Sequence, residues 1–371
     1  MKVLILSCNT GQGHNSSGKA IMAEFEKYNV ECRLLDTLAF SSETASNVVT
    51  KIHTSCVMHA PKLFAVGFKT AELIDEKALK YSPCYVANAT YAEELYKYIT
   101  ENGFDTIIMP HVFPAETLTR IKRKYAPDIK TYFVATDYTY PIFLKDTELD
   151  RYFIAHNDLA DEYEKNGIPK DKLTATGIPI SQNFATKADK IEAKKELGLD
   201  CDKTHILVMT GSLGYGNTVS LVTSLMNKLP DNTHLVVMGG SNEKMKKELR
   251  MRFSADSRLT VLDFTTKVSL YMDACDILLT KPGGLSSTEA AVKEIPTIFT
   301  KPIPGWEENN IEFFKSHNIA LAGESDEELV TQVLYLLSNP WKCEEMSAKQ
   351  RQHINKYSAK DICEFILQDK R

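Results

Sequence analysis

The sequence predicts an α/β protein made of two doubly wound domains. Short apolar runs alternate with helix-length segments in two successive series, and strands that alternate with helices form right-handed βαβ units around parallel sheets. The chain has 371 residues, which is too long for one ordinary hydrophobic core. This length suits two domains of roughly 150 to 180 residues each.

Ten strands are predicted, each a short apolar run bounded by polar or turn residues. Five lie in the first half, at residues 3–6, 32–35, 106–109, 131–135 and 152–155. Five lie in the second half, at residues 205–209, 235–238, 259–262, 277–279 and 297–299. The rhythm breaks between residues 177 and 191, before a charged helix, and this break is the predicted domain boundary.

Composition excludes several classes of protein. Charged residues make up 25% of the chain and the net charge is -5, so nucleic acid is not an expected partner. The eight cysteines show neither a C-x-x-C pair nor zinc-ligand spacing, which is typical of reduced thiols in a cytosolic chain. The first apolar run is too short for a signal peptide, and no run reaches the roughly eighteen residues of a membrane span. We therefore expect any membrane contact to be made from the cytosolic side.

A strand-to-helix junction near residue 283 has the chemistry of a phosphate site. Gly283 and Gly284 follow an apolar strand, and a helix is predicted to begin near Leu285. Such a junction presents backbone N–H groups and the positive end of a helix dipole to an anion. Glu289 falls just over one turn into this helix, where its carboxylate can accept hydrogen bonds from the hydroxyl pair of a sugar. The pattern indicates a nucleotide diphosphate site.

This segment resembles the donor-binding half of two-domain glycosyltransferases of the MurG-like class. The resemblance is strongest to the diacylglycerol glucosyl- and galactosyltransferases, which include monogalactosyldiacylglycerol synthase and its bacterial processive relatives. Their K-x-G-G/P-x-[ST]-x-x-E-A stretch holds the pyrophosphate and ribose of a UDP-sugar, and here it spans residues 281–290. The resemblance implies that Gly283, Gly284, Ser286 and Glu289 bind the nucleotide.

The resemblance also implies a hexose-reading stretch, P-G-Q-E-x-x-N in the family. Trp306 stands here where the family usually has Gln, followed by Glu307 and Asn310. An indole offers one donor and a large apolar face, whereas a glutamine amide offers both a donor and an acceptor. The departure leaves the choice between glucose and galactose open and leaves the nucleotide assignment unchanged.

Two further loops of the second half match the family. Gly211 and Ser212 follow a strand in a glycine-rich loop, which alone is equally consistent with a tight turn. Paired with the first glycine loop, it is expected to contact the phosphates, while Phe264 and Thr265 match the position that lies against uracil. The single D-x-D tripeptide, at residues 200–202, sits before a strand and is predicted to be a surface turn. No metal or other cofactor is therefore expected.

The loop after the first strand allows two interpretations. Residues 13–19 spell the P-loop pattern G-x-x-x-x-G-K, but Ala20 replaces the hydroxyl residue that binds magnesium. A P-loop NTPase is the less favoured alternative. The resemblance instead identifies Gly13 and His14 as part of a G-x-G-H loop that faces the acceptor alcohol. A helix N-terminus disfavours the imidazolium form, so His14 is suited to act as a general base.

His111 and Asp137 match the family at two further strand ends of the first half. Ligands bind at the carboxyl ends of parallel strands, so both residues are candidates for the acceptor site. Asp137 either orients His14 or accepts the proton itself. The alternatives are a helix or turn cap for Asp137 and a buried, hydrogen-bonded imidazole for His111.

Residues 44–71 form an insert that breaks the strand and helix rhythm. It contains no acidic residue, but Lys51, Lys62 and Lys69 lie among apolar side chains. Such a surface is suited to anionic lipid, and the family uses this region for acceptor and membrane contact. An ordinary packed pair of helices is the alternative.

The resemblance covers nearly the whole chain and implies the GT-B architecture, in which two Rossmann-like domains face a cleft. Residues 1–180, with C-terminal helices at about 345–371, are expected to bind the acceptor, and residues 190–344 the UDP-sugar. The implied reaction is inverting, metal-independent transfer of glucose or galactose from a UDP-hexose to the 3-hydroxyl of 1,2-diacylglycerol. The enzyme is expected on the inner face of the cell membrane as a peripheral protein.

Three alternatives remain open at this point. In the first, the acceptor is another lipid-linked or small molecule, including a glycolipid that receives a second sugar. In the second, the protein is a UDP-sugar epimerase, although an epimerase needs an acid/base pair around the donor sugar that the motifs do not supply. In the third, the protein is a non-catalytic UDP-sugar sensor.

Overall fold

The computed structural model describes residues 1–9, 12–40, 70, 85, 88–209, 217–303 and 305–369. These residues form two compact units. Unit 1 contains Met1–Ser181 and Asn355–Arg371 together with the short stretch 304–306, and unit 2 contains Gln182–Ile303 and Glu307–Ile354. Each unit is built on a six-stranded parallel sheet with helices between the strands, which confirms the predicted fold class.

The strands, in chain order, are β1 Lys2–Ser7, β2 Glu31–Asp36, β3 Thr106–Met109, β4 Lys130–Val134, β5 Arg151–Ile154, β6 Leu173–Ala175, β7 Thr204–Met209, β8 Thr233–Met238, β9 Leu259–Leu262, β10 Ile277–Thr280, β11 Thr297–Phe299 and β12 Leu321–Ala322. All ten predicted strands are present. β6 and β12 are additional edge strands of three and two residues. They are only partly buried, so their sequences carry no apolar run that marks a strand.

The α-helices in the described part of the chain are α1 Gln12–Lys27, α2 Ala92–Glu101, α3 Val112–Tyr125, α4 Ala160–Lys165, α5 Gln182–Ala185, α6 Lys190–Leu197, α7 Thr218–Lys228, α8 Glu243–Arg252, α9 Val268–Ala274, α10 Gly284–Val292, α11 Trp306–Ser316, α12 Asp326–Ser338, α13 Pro340–His353 and α14 Ser358–Asp369. Short 3-10 turns lie at Thr37–Phe40, Ala89–Tyr91, Leu144–Asp146, Asn157–Leu159 and Lys170–Lys172.

The two sheets are both doubly wound but differ in strand order. Unit 1 has the order β2-β1-β3-β4-β5-β6, and unit 2 has the order β12-β11-β10-β7-β8-β9. In each sheet the chain starts at an inner strand, adds strands on one side and then adds the remainder on the other. The order therefore reverses between β1 and β3 in unit 1 and between β7 and β10 in unit 2. Ligands of open α/β sheets bind beyond the carboxyl ends of the strands at such switch points.

The C-terminal helices divide between the two units. Ile362 and Ile366 of α14 are fully buried in the unit 1 core, beside Phe25 of α1 and the β1 strand. α13 differs from the expectation for residues 345–371 and packs on unit 2 up to Ile354. Its Met346 lies in the unit 2 core, and its buried Gln350 donates through Nε2 to the carbonyls of Ile295 and Ile319 at 3.0 and 3.1 Å. These tertiary contacts leave no distinct local signal in the sequence.

Candidate active site

The strand order places the predicted residues of each half near a switch point. In unit 1, His14 follows β1 and His111 follows β3. In unit 2, residues 210–216 follow β7 and Gly283 follows β10. Gly211 and Ser212 fall within residues 210–216, which lie outside the described residues. The topology therefore supports one candidate site in each unit.

The unit 2 site begins at the junction of β10 and α10. The helix starts at Gly284, one residue before the predicted position, and Gly283 is its N-cap residue. A glycine supplies no side chain to cap the first-turn N–H groups, and no acidic residue lies in that turn. Ser286 also belongs to this turn and is partly exposed. The junction therefore has the donors and the dipole direction of an anion site.

Glu289 is the most strongly perturbed carboxyl group of this site. Its side chain keeps some solvent contact, yet desolvation raises the pKa of Glu289 to about 8. Among the described residues, no hydrogen-bond donor or cation is paired with this carboxyl group. A folded protein rarely leaves a desolvated carboxyl group without a partner, because that costs stability. Such a group near an anion site is a candidate for binding a hydroxylated ligand.

Glu307 and Asn310 of α11 lie close to the same junction but are buried. Glu307 is 2% exposed; its Oε1 pairs with Lys281 Nζ, and its Oε2 accepts a hydrogen bond from the Ile303 amide at 2.7 Å. Asn310 is fully buried and donates through Nδ2 to the Pro282 carbonyl at 2.9 Å. Each carboxylate oxygen of Glu307 therefore has a partner within unit 2.

The other predicted donor residues lie at separate positions. Phe264 follows the edge strand β9 and is 87% exposed. Neighbouring Thr265 accepts a hydrogen bond from the Lys267 amide at 3.1 Å through its Oγ1. Trp306 is the first residue of α11 and is half-buried. The Phe264 ring, exposed after the end of β9, is available to stack on a planar ligand.

His14 lies in the first turn of α1, and its ring is held by residues distant in sequence. Its Nδ1 lies 2.8 Å from the Pro110 carbonyl oxygen and 2.9 Å from Thr136 Oγ1. Because a carbonyl only accepts hydrogen bonds, Nδ1 carries the proton of the neutral ring. The lone pair is then on Nε2. This tautomer is the one required of a base that acts through Nε2.

His111 contacts His14 directly. Their ring centroids are 4.6 Å apart in an edge-to-face arrangement. His111 is also the N-cap of α3, and its Nδ1 accepts a hydrogen bond from the Phe113 amide at 3.1 Å. The bonded-imidazole alternative for His111 therefore describes one of its roles. His111 also lies beside His14, and acceptor binding by His111 stays a prediction.

Asp137 follows Thr136 beyond the end of β4 and is partly exposed. The two contacts at His14 Nδ1 come from Pro110, whose carbonyl fixes the tautomer, and from Thr136. Neither residue was predicted as a site residue, since their proximity to His14 depends on the pairing of β1, β3 and β4. Lys281 belongs to the predicted 281–290 stretch, but its pairing with Glu307 was not predicted. Asp137 as orienting group or base, and Gly13 as part of the acceptor loop, remain predictions.

The structure shows the local surroundings of the P-loop pattern and of the D-x-D tripeptide. Gly18 and Lys19 lie in the second turn of α1 rather than at its start, and Lys19 is exposed. A Cβ at Gly18 would lie 2.9 Å from Leu34 Cδ1, so this glycine serves helix packing against β2. In the D-x-D tripeptide, the Asp202 amide donates to Asp200 Oδ1 at 3.0 Å, as expected for a surface turn.

Two observations concern membrane contact. The 44–71 insert lies outside the described residues except for Thr70. Within the ranges that the structure describes, none of the helices has the length and apolar character needed to span a bilayer.

Both halves of the chain match families of known proteins. Residues 14–180 match the family model for monogalactosyldiacylglycerol (MGDG) synthase, and residues 189–360 match the model for glycosyl transferases group 1. The chain is 27% identical to a processive diacylglycerol beta-glucosyltransferase of Staphylococcus saprophyticus, over 99% of this chain and 92% of that protein. It is 26% identical to the Bacillus cytotoxicus protein of the same name, over 99% and 94% of the two chains.

Solved structures show the same fold at low sequence identity. Acinetobacter baumannii MurG has a TM-score of 0.64 at 14% identity, covering 99% of this chain and 100% of MurG. A UDP-GlcNAc 2-epimerase of Neisseria meningitidis bound to UDP-GlcNAc has a TM-score of 0.64 at 12% identity, with the same coverage. These matches confirm the resemblance and the GT-B fold predicted from the sequence.

Proposed function

We propose that this glycosyltransferase, whose two halves match the family models for monogalactosyldiacylglycerol synthase and for glycosyl transferases group 1, transfers a hexose from a UDP-hexose to the 3-hydroxyl of 1,2-diacylglycerol. The relatives named processive diacylglycerol beta-glucosyltransferase support this acceptor. Glucose is the favoured hexose on the same ground. Unit 1 binds the lipid alcohol and unit 2 binds the donor.

The observation that carries the proposal is Glu289, which has no partner among the described residues and lies just over one turn from a helix N-terminus whose N-cap is a glycine. The helix end offers N–H donors to the diphosphate. Glu289 offers a carboxylate to the two ribose hydroxyls, which are donors spaced to fit its two oxygens. A nucleoside diphosphate satisfies both features at once. The exposed Phe264 ring supports stacking on uracil, with Thr265 beside it.

The proposed reaction is a single displacement at the anomeric carbon. The acceptor oxygen attacks that carbon and forms the new glycosidic bond, while the bond to the diphosphate oxygen breaks and UDP leaves with the electron pair. His14 takes the hydroxyl proton on Nε2, in the tautomer that Pro110 and Thr136 support. One displacement inverts the anomeric configuration. The α10 N–H groups stabilise the departing UDP without a metal, and Gly211 and Ser212 stay predicted phosphate contacts.

Membrane contact belongs to the same proposal. Diacylglycerol resides in a bilayer, so the enzyme has to work at its surface. The 44–71 insert, with three lysines and no acidic residue, is the segment proposed to contact anionic lipid on the inner face of the cell membrane.

A panel of UDP-sugars incubated with 1,2-diacylglycerol in mixed micelles tests the proposal, with lipids identified by mass spectrometry. We expect hexosyl-diacylglycerol and an equal amount of UDP. Product formed only on another lipid or a preformed glycolipid would identify a different acceptor. UDP-sugar binding without UDP release would favour the sensor, and conversion of one UDP-sugar into another would favour an epimerase.

A further inference from the structure

Lys281 is a cation placed at the unit 2 site with one side buried and the other open. It directly follows β10, and its side chain is 21% exposed. Its Nζ is paired with Oε1 of Glu307, which is 2% exposed. The carboxylate is therefore the buried partner, and the ammonium is the partner that a ligand can reach from solvent.

Glu307 is held in place independently of Lys281. Its Oε2 accepts a hydrogen bond from the Ile303 amide at 2.7 Å, which ties the start of α11 to the loop before it. Asn310, one turn further along α11, donates to the Pro282 carbonyl at 2.9 Å and so fixes the loop after β10. The lysine has four flexible methylenes and no other ion pair among the described residues. Of the two partners, Lys281 is the one free to change position.

Gly283 makes room for this ion pair at the start of α10. A Cβ at Gly283 would lie 3.1 Å from Lys281 Nζ and 3.5 Å from Glu307 Oε1. The ammonium thus lies against the N-cap of α10. A cation at a helix N-terminus is disfavoured by the helix dipole unless an anion is present. Glu307 supplies that negative charge.

We propose that Lys281 exchanges its ion pair from Glu307 to the diphosphate of the donor. This inference rests on the proposed function, because it names a further contact within the same donor site. The diphosphate meets the helix N–H groups and the ammonium together, and both favour it electrostatically. Once Lys281 has moved, Glu307 Oε1 is released toward the ligand while Oε2 stays on Ile303. Glu307 thereby competes with the donor for Lys281 and positions it for capture.

Calorimetric titration with uridine, UMP and UDP separates this role from general damage to the site. Lys281→Met is expected to leave uridine affinity unchanged and to weaken UDP binding by about tenfold or more, with UMP between them. Glu307→Gln is expected to strengthen UDP binding severalfold and leave uridine unchanged, because the competing charge is gone. Lys228→Met, an exposed lysine at the end of α7, is the matched control and should change neither.

Lys281→Met leaves the buried Glu307 carboxylate without a cation, and this variant is expected to fold less stably. The double variant Lys281→Met/Glu307→Gln removes both charges and keeps the test valid. It is expected to bind UDP more weakly than Glu307→Gln alone, at equal uridine affinity. Loss of uridine and UDP affinity in equal proportion, or weaker UDP binding in a folded Glu307→Gln variant, would overturn the exchange. If the wild type binds neither UDP nor uridine, the proposed function itself fails.

Discussion

Replacing Glu289 by Gln should stabilise the empty protein at neutral pH. The carboxyl group has a pKa of about 8 in the folded protein and an ordinary value of 4.5 when unfolded. Between these values the folded state keeps a proton that the unfolded state has lost. Stability that is present below pH 4.5 is therefore lost progressively as the pH rises toward 8.

The size of this effect follows from the linkage relation. Each pH unit between the two pKa values costs about 1.4 kcal/mol. From pH 4.5 to 7 the cost reaches about 3 kcal/mol, an upper bound because the side chain keeps some solvent contact. Glutamine has the same shape and no proton to lose, so Glu289→Gln avoids the whole penalty. The variant should match the wild type near pH 4.5 and exceed it increasingly toward pH 8.

Thermal unfolding of the ligand-free protein at pH 5, 7 and 8 measures this difference. Glu312→Gln, an exposed glutamate on α11, is the matched control and should show no comparable pH-dependent gain. If Glu289→Gln is no more stable than the wild type at pH 8, the carboxyl group is not desolvated and the argument fails.

The same variant should lose nucleotide affinity. Ribose hydroxyls donate hydrogen bonds to a carboxylate, so UDP binding should lower the pKa of Glu289 and release a proton at pH 7. Calorimetry in two buffers of different ionisation enthalpy detects that proton. Glu289→Gln should bind UDP at least about tenfold more weakly and release none. A variant that gains stability and keeps full UDP affinity would remove Glu289 from the nucleotide site.

Three further predictions concern the reaction, the sugar and the membrane. His14→Ala should lower kcat by about 10²- to 10⁴-fold with UDP affinity unchanged; near-normal turnover would move the base assignment to Asp137. Trp306→Gln should sharpen the preference between UDP-glucose and UDP-galactose, because an amide discriminates hydroxyls that a packed indole does not; equal kcat/KM ratios in competition assays would place Trp306 away from the sugar. Changing the three lysines of the 44–71 segment to Glu should release the protein from anionic vesicles while UDP binding persists; unchanged co-sedimentation would favour a packed helical pair.

Local sequence signals were sufficient for the elements that bury long apolar runs. The junction at Gly283 and the start of α1 were also predictable, since glycines after a strand mark a close turn into a helix. The edge strands β6 and β12 were not predicted because their residues are only partly buried. The packing of α13 on unit 2 was not predicted because it depends on tertiary contacts of Met346 and Gln350.

The candidate sites show the same division. His14 and Glu289 stood out by residue type and position after a strand. The residues that contact them could not be predicted in the same way, because the contact between His14 and Thr136, for example, joins residues 122 positions apart. The pairing of Lys281 with Glu307 spans 26 positions and gives Glu307 a partner that its sequence neighbours do not indicate. Residue type identified candidate groups, whereas strand order and tertiary contacts determined what each group touches.

The central claim is inverting hexose transfer to diacylglycerol, and the anomeric configuration of the product tests it most directly. Proton NMR can follow UDP-α-glucose and 1,2-diacylglycerol in mixed micelles with the wild-type enzyme. The account predicts that the α-anomeric signal of the donor decays while a β-anomeric signal of 3-O-glucosyl-diacylglycerol and free UDP appear in equal amounts. An α-linked product would contradict the single displacement, and bound UDP-glucose that stays intact beside the acceptor would contradict the transferase itself.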